Sequence, residues 1–333
     1  MGNDTSTPIK ETISLDLSNQ LLPEIPESLT IYTNLKTINL YQNYLSTVEI
    51  LQQFSNLTSI NVGNNQLEMI HDMIFLNNEK LSIINAENNQ IVKLTPLIQF
   101  LPLIQMNFSM NQIDILPDTI GDCTLLTSLD FSKNKLEEVP PTLSKLVNLK
   151  RLVLCGNKIK TFPNMEKCPL NLVDISDNDF DEFPVSLCKC PLNKLYMNSN
   201  NISSIANEIS QLITLKEFTI GDNTLTHLPK SLTCCTSLNI LDIENNENLD
   251  EFYQSQPTIP QIFEYLQKEE NDNQPRIDHQ RSISKSKVDR TKRNKELSKK
   301  YQSMSSFRKS RALENKRQLH LLIRIFGEEM LHG

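Results

Sequence analysis

Between residues 125 and 140 the chain reads LLTSLDFSKNKLEEVP. Apolar side chains fall at Leu126, Leu129, Phe131, Leu136 and Val139, with Asn134 among them and Pro140 closing the stretch. The spacing returns at once, at Leu149, Leu152, Leu154, Asn157, Ile159, Phe162 and Pro163. A pattern that recurs at a fixed interval is the mark of a repeat architecture. The residue at the Asn position can be followed from Gln20 through Asn43, Asn65, Asn89, Asn111, Asn134, Asn157, Asn178, Asn200 and Asn223 to Asn246. Eleven copies thus span 226 residues in ten intervals, a mean near 22.6. Each apolar-x-x-apolar-x-apolar segment predicts one short parallel strand. Its apolar side chains enter a shared core, and the intervening ones line the outer, concave face. The Asn stands where the chain leaves the strand, placed to satisfy backbone groups that a tight turn leaves unpaired. No single copy can bury its own apolar side, so the copies must stack.

The pattern also sets the boundaries. Residues 1–11 precede the first copy and must shield its open end; residues 12–252 hold the copies. Copy four has Ala86 at a position where others carry larger apolar residues, which predicts a thinner core there. Copies eight and nine share Lys-Cys-Pro-Leu-Asn at 167–171 and 189–193, a local duplication that places Cys168 and Cys190 in register. After Asn246 the next apolar position slips to Leu249 and marks the end of the array. Within residues 253–269, Pro260 can start a helix whose Ile262, Phe263 and Leu266 share a face, a cap over the last copy's open edge. Residues 270–303 lack periodicity and read as a basic disordered linker. Residues 304–331 regain a helical period, with Ala312, Leu319, Leu322, Ile323, Phe326 and Met330 forming one apolar stripe of a basic amphipathic helix.

The residues of this pattern resemble the leucine-rich repeat family, and the likeness covers most of the chain. It implies an α/β solenoid, a right-handed horseshoe with a parallel concave β-sheet, here with a C-terminal helical extension. The endings Leu116-Pro117, Val139-Pro140, Phe162-Pro163, Phe183-Pro184 and Leu228-Pro229 resemble the intracellular, Ras-associated class of about 23 residues per repeat. Members of that class are mostly interaction scaffolds. The resemblance therefore implies a non-enzymatic adaptor in intracellular signalling, with a small GTPase or a protein phosphatase as partner.

Composition narrows the chemistry. Seven glycines, none spaced for a phosphate-cradling loop, argue against a nucleotide cofactor. The histidines (His71, His227, His279, His320, His332) form no metalloprotease motif, and no nucleophile elbow occurs. No catalytic residue is assigned and no cofactor is expected. Cys168, Cys188 and Cys190 supply three thiols without an evident fourth ligand, so buried small hydrophobes are favoured over zinc and no metal is assigned. An odd number of cysteines, all inside the copies, points to a reducing, cytoplasmic compartment. The sequons at Asn3, Asn56, Asn107 and Asn201 are then chance matches in an Asn-rich chain.

Charge is divided unevenly. Residues 276–324 hold sixteen Lys/Arg against four Asp/Glu, a charge of +12, whereas the whole chain is −7. An acidic body with a basic tail suggests two partner surfaces. The N-terminus Met-Gly-Asn-Asp-Thr-Ser fits the N-myristoylation pattern with Gly2 as acceptor, against a plain disordered terminus as the alternative. One acyl chain anchors only marginally, and the basic tail could add the second signal for the inner face of the plasma membrane. Ser282, Ser284, Ser286 and Ser310, set among Lys and Arg, resemble basophilic-kinase sites where phosphate would cancel charge. For residues 276–331 an anionic membrane surface and a calmodulin-like partner compete with packing of the apolar stripe back on the chain's own acidic repeats. Nucleic acid is the weakest reading, since stacking aromatics are few.

On the concave face, copies two to six present small polar residues, among them Asn39, Asn61, Asn85 and Asn107. Copies seven to ten differ, with Arg151, Val153, Leu172, Asp174, Lys194, Tyr196, Glu217 and Thr219. Arg and aromatic residues with aliphatic neighbours have the composition of an interface centre. Val153, Leu172 and Tyr196 are expected side by side across strands about 4.8 Å apart. The site expectation is a protein-binding surface there. The alternatives are scattered exposed apolar residues, or a membrane-surface adaptor that acts through Gly2 and the tail.

Overall fold

The structure is a computed structural model that describes residues 12–268. Gly2, Ser282, Ser284, Ser286, Ser310 and the segment 276–331 lie outside the described residues, as do the predicted linker and the amphipathic helix.

The eleven copies give eleven strands of three residues: β1 (Ser14–Asp16), β2 (Thr37–Asn39), β3 (Ser59–Asn61), β4 (Ile83–Asn85), β5 (Gln105–Asn107), β6 (Ser128–Asp130), β7 (Arg151–Val153), β8 (Leu172–Asp174), β9 (Lys194–Tyr196), β10 (Glu217–Thr219) and β11 (Ile240–Asp242). They form one sheet in sequence order, every neighbouring pair parallel. Each strand's middle residue enters the core, and most of these (Ile60, Leu129, Leu152, Val173, Leu195, Phe218) are wholly buried. This is the α/β solenoid with a parallel sheet. Opposite the sheet, most copies close through a short 3-10 helix such as Pro141–Lys145 or Lys230–Cys234; copy three closes through α1 (Asp72–Asn77). Ala86 is fully buried, and in copy five the same position is Phe108, whose ring stacks on Phe131 with centroids 5.5 Å apart.

The Asn column forms a hydrogen-bonded ladder. Asn111 is typical. Its Nδ2 donates to Phe108 O of its own strand end (3.0 Å) and to Ala86 O of the preceding copy (2.9 Å), while its Oδ1 accepts from Ile91 N (3.0 Å). Asn178 and Asn246 repeat the arrangement. One amide therefore satisfies groups of two successive copies, which a single β-turn cannot do alone. The residue just before each ladder position has a positive φ in all eleven copies, from Asn19 (58°) through Met110 (57°) and Lys133 (54°) to Asn245 (57°), with Gly156 at 72°.

Cysteines form a second, weaker column beside the 3-10 helices. The thiols of Cys123, Cys190 and Cys235 donate to Ile98 O (3.5 Å), Met165 O (3.4 Å) and Ile209 O (3.3 Å) of earlier copies. At the end of copy three Asn78 takes this position and donates to Leu51 O (3.1 Å). Cys168, Cys188 and Cys190 are buried, and desolvation pushes Cys188 up to about 12 and Cys190 to about 11. These thiols are packing groups rather than nucleophiles.

The array ends with α2 (Glu251–Gln254), capped by Asp250, whose side chain accepts from Phe252 N (3.0 Å). α3 (Ile259–Lys268) follows, and Ile262 and Leu266 are its buried pair. It packs on the 3-10 helix Lys230–Cys234 rather than along β11, and Phe252 stacks on Tyr265 beside it. α3 therefore lies against the outer helix of copy ten.

Candidate functional site

The third residue of each strand decides what the concave face can do. In copies one to six it is always Asp or Asn: Asp16, Asn39, Asn61, Asn85, Asn107 and Asp130. Each Oδ1 accepts from the backbone N–H two residues on, for example Asn61 from Gly63 (3.1 Å), Asn85 from Glu87 (3.2 Å) and Asp130 from Ser132 (3.1 Å). These side chains are engaged in turning their own chain out of the strand. Asn39 also donates to Asp16 along the sheet (3.0 Å).

Copies seven, nine and ten break the rule with Val153, Tyr196 and Thr219, while Asp174 and Asp242 keep it, bonding Ser176 N and Glu244 N at 3.0 Å each. In copy ten the lost cap is replaced from the neighbouring copy, because Asn198 Oδ1 accepts from Gly221 N (2.8 Å). Thr219 Oγ1 is buried and has no hydrogen-bond partner. Leaving a buried hydroxyl unpaired costs about 1–3 kcal/mol. Copies seven, nine and ten thus lack the capping oxygen that the first six copies keep.

Strand register fixes the neighbours. Arg151, Leu172, Lys194, Glu217 and Ile240 lie side by side in one row, and Val153, Asp174, Tyr196, Thr219 and Asp242 in the next. Leu172 therefore does not stand between Val153 and Tyr196; Asp174 does. The expected apolar run fails because Val153 and Tyr196 are third residues of their strands and Leu172 is a first residue. Val153 also departs from the expected exposed anchor, being only 6% exposed. It is a short side chain in register between Asp130 and Asp174.

The remaining site residues are linked by charge. Lys194 Nζ meets Glu217 Oε1 at 2.8 Å, and Tyr196 donates its hydroxyl proton to Glu217 Oε2. The Lys194 hydrogen bond, and then that of Tyr196, holds the Glu217 carboxyl below the usual range. Lys194 is raised in return by its hydrogen bond to Glu217, and burial, then Glu217, raises Tyr196. Arg151 Nη1 reaches Asp130 Oδ2 at 3.2 Å. These pairs are open to solvent, where screening weakens them, so they orient the surface more than they hold the fold. Beside Asp174, Cys155 is pushed up to about 12, first by burial and then by that carboxylate.

The surface has features beyond those expected residues. A depression of about 320 Å³ lies where Ile83, Asn85, Gln105, Asn107 and Ser128 approach Arg151. Ile83 and Ile240 expose 37% and 49% of their surface on first-residue positions. Both could have been found in the sequence: the Ile83-Ile84 and Ile240-Leu241 pairs break the polar–apolar alternation of the strands. Among the described residues, no helix is long and apolar enough to cross a membrane.

Stacked copies, a hydrogen-bonded Asn column and a bare sheet face define a repeat solenoid built to present surface. Comparison with known proteins agrees. The family described as leucine rich repeat matches residues 190–247, and its two-copy form matches residues 124–167. The chain therefore carries leucine-rich repeats at 124–167 and 190–247. Among solved structures, it is similar to a leucine-rich repeat protein of Leptospira interrogans (24% identity, TM-score 0.60, 71% of this chain and 67% of that one). It is also similar to the functional domain of InlJ from Listeria monocytogenes (22%, 0.62, 73% and 56%). A third likeness is to the Arabidopsis receptor kinase HAESA, solved with the peptide hormone IDA and the co-receptor SERK1 (20%, 0.63, 73% and 47%). The chain thus spans from about half to two thirds of the length of these structures. No curated protein matches the sequence. Leucine-rich repeat folds commonly serve as protein-interaction scaffolds and are generally non-enzymatic.

Proposed function

We propose that this chain is a non-enzymatic scaffold that binds a protein partner on the concave face at copies seven to ten. The observation that carries this reading is the replacement of the capping Asp/Asn by Val153, Tyr196 and Thr219, after six consecutive copies that keep it. Around these positions stand Arg151, Leu172, Asp174, Lys194 and Glu217, a mixture of charged, aliphatic and aromatic groups suited to an interface centre. The Leu-Pro endings resemble the intracellular, Ras-associated class, which supports a cytoplasmic signalling partner such as a small GTPase or a protein phosphatase.

The test is affinity capture from native lysate with wild type and with an Arg151→Glu/Leu172→Glu/Tyr196→Ala variant, circular dichroism confirming the fold of both. Val153 is left intact because it is buried. A protein retained by wild type and lost by the variant is the expected result. Identical partner lists would sink the concave-face reading.

A second reading rests on a separate observation, the N-terminal myristoylation pattern together with the +12 charge of residues 276–324. In it the chain is an adaptor at an anionic membrane surface. Release of the protein from membranes by Gly2→Ala supports that reading, and an unchanged distribution counts against it.

A further inference from the structure

We propose that the concave face at copies eight to eleven takes an extended basic segment of its partner, with two cationic side chains four residues apart and an apolar one midway. The inference rests on the concave-face reading above and adds the chemistry of what binds there.

In the first row, Lys194 and Glu217 form a closed ion pair, with Leu172 on one side and the half-exposed Ile240 on the other. That row offers apolar contact and little net charge. In the second row, Tyr196 and Thr219 stand between two carboxylates, Asp174 and Asp242. Each uses Oδ1 for its own turn and has a second oxygen beyond it. Gly221 lies against Asp242, where a Cβ would sit 3.1 Å from Oδ1, so the missing side chain leaves that carboxylate uncrowded. Glu244, exposed two residues beyond Asp242, adds a third negative charge. Lys194 is the one cation of these two rows at copies eight to eleven, and Glu217 neutralises it. The surplus is negative, and its complement is a cation.

Spacing sets the rest. Three strand intervals of about 4.8 Å separate Asp174 from Asp242, about 14 Å in all. An extended chain advancing about 3.4 Å per residue covers that distance in four residues. Side chains i, i+2 and i+4 then share one face, so i and i+4 meet the two carboxylates and i+2 lies over Tyr196 and Thr219.

The decisive variant is Asp174→Asn/Asp242→Asn. Asn performs the same capping bond in copies two to five, so the substitution removes charge while keeping the turn. The probe is a fluorescein-labelled Gly/Ser peptide bearing Arg at i and i+4 and Leu at i+2. Anisotropy is read on the full chain at low salt. Binding to wild type, weakened about tenfold on the double variant, is expected from two exposed charge pairs. A peptide with Glu in place of both Arg should not bind. Absence of binding to wild type, equal binding of the Glu peptide, or equal affinity of the double variant would overturn the proposal. The two levels separate in the capture experiment. A partner lost on the Arg151/Leu172/Tyr196 variant but kept by the double Asn variant overturns the basic segment alone. A partner kept by both overturns the concave-face reading as well.

Discussion

Copies one to six and copies seven to ten share a backbone and differ at one position. In the first group the third strand residue is Asp or Asn and caps the turn that follows it. In the second it is Val153, Asp174, Tyr196 and Thr219, and the cap is kept only at Asp174. The Asn-lined half looks like a hydrogen-bonding surface when read as sequence, yet the oxygens of that row are already occupied by its own backbone. The half that gives up three caps has side chains in that row, Val153, Tyr196 and Thr219, that do not turn their own chain. A repeat protein can afford this because each copy is held by its neighbours as well as by itself.

The largest expected effect tests whether both halves share one framework. Asn111→Ala and Asn200→Ala each remove an amide bonded to backbone groups of two copies, and should each cost about 3 kcal/mol or more in urea unfolding. A much smaller loss at Asn200 would mean that the second half is held by something other than the ladder. At the differing position the effects shrink and diverge. Asn61→Ala removes the bond to Gly63 N and should cost about 1 kcal/mol. Tyr196→Asn supplies a capping oxygen that copy nine lacks. It should leave stability within about 1 kcal/mol of wild type while abolishing partner capture. A large loss of stability instead would make Tyr196 a structural residue and erase the contrast.

The smallest effect is acid dependence. Glu217 has its pKa lowered by Lys194 and Tyr196, so the folded chain holds that proton less tightly than the unfolded chain does. Its contribution is present above the ordinary carboxylate value of 4.5 and disappears as pH falls through the lower folded value. Melting temperature should therefore fall less steeply between pH 5 and 3 in Glu217→Gln than in wild type. In the first half, Asp16 is lowered chiefly by the Ser18 N–H that it caps, and Asp16→Asn should flatten the same acid limb without loss of the turn. Parallel limbs for a variant and wild type would remove that group from the account.

Much of the fold was legible because its rule is spacing. The Asn column, the buried strand centres and the end of the array near Leu249 all follow from where apolar residues fall. The left-handed residue before each ladder position was only partly legible: Asn, Asp or Gly stands there in seven copies, as at Asn19, Gly156 and Asp177, but Gln42, Met110, Lys133 and Ser199 hold the same conformation. At those four the ladder on either side imposes the backbone conformation against side-chain preference. The site was half legible. Composition singled out copies seven to ten, but not that Leu172 belongs to the row of Arg151 or that Val153 is covered. Those facts depend on register and on what neighbours overlie, which one copy read alone does not contain. Ile83 and Ile240 were readable as breaks in alternation.

The ladder's short reach has a mechanical consequence. Among the described residues, its longest bond joins positions 27 apart, Asn89 to Val62, in an array of more than two hundred. Pulled from its ends, such a chain should yield one copy at a time, in a train of small equal steps. A partner gripping several strands at once would act as a splint, and would raise the force at which those particular steps occur.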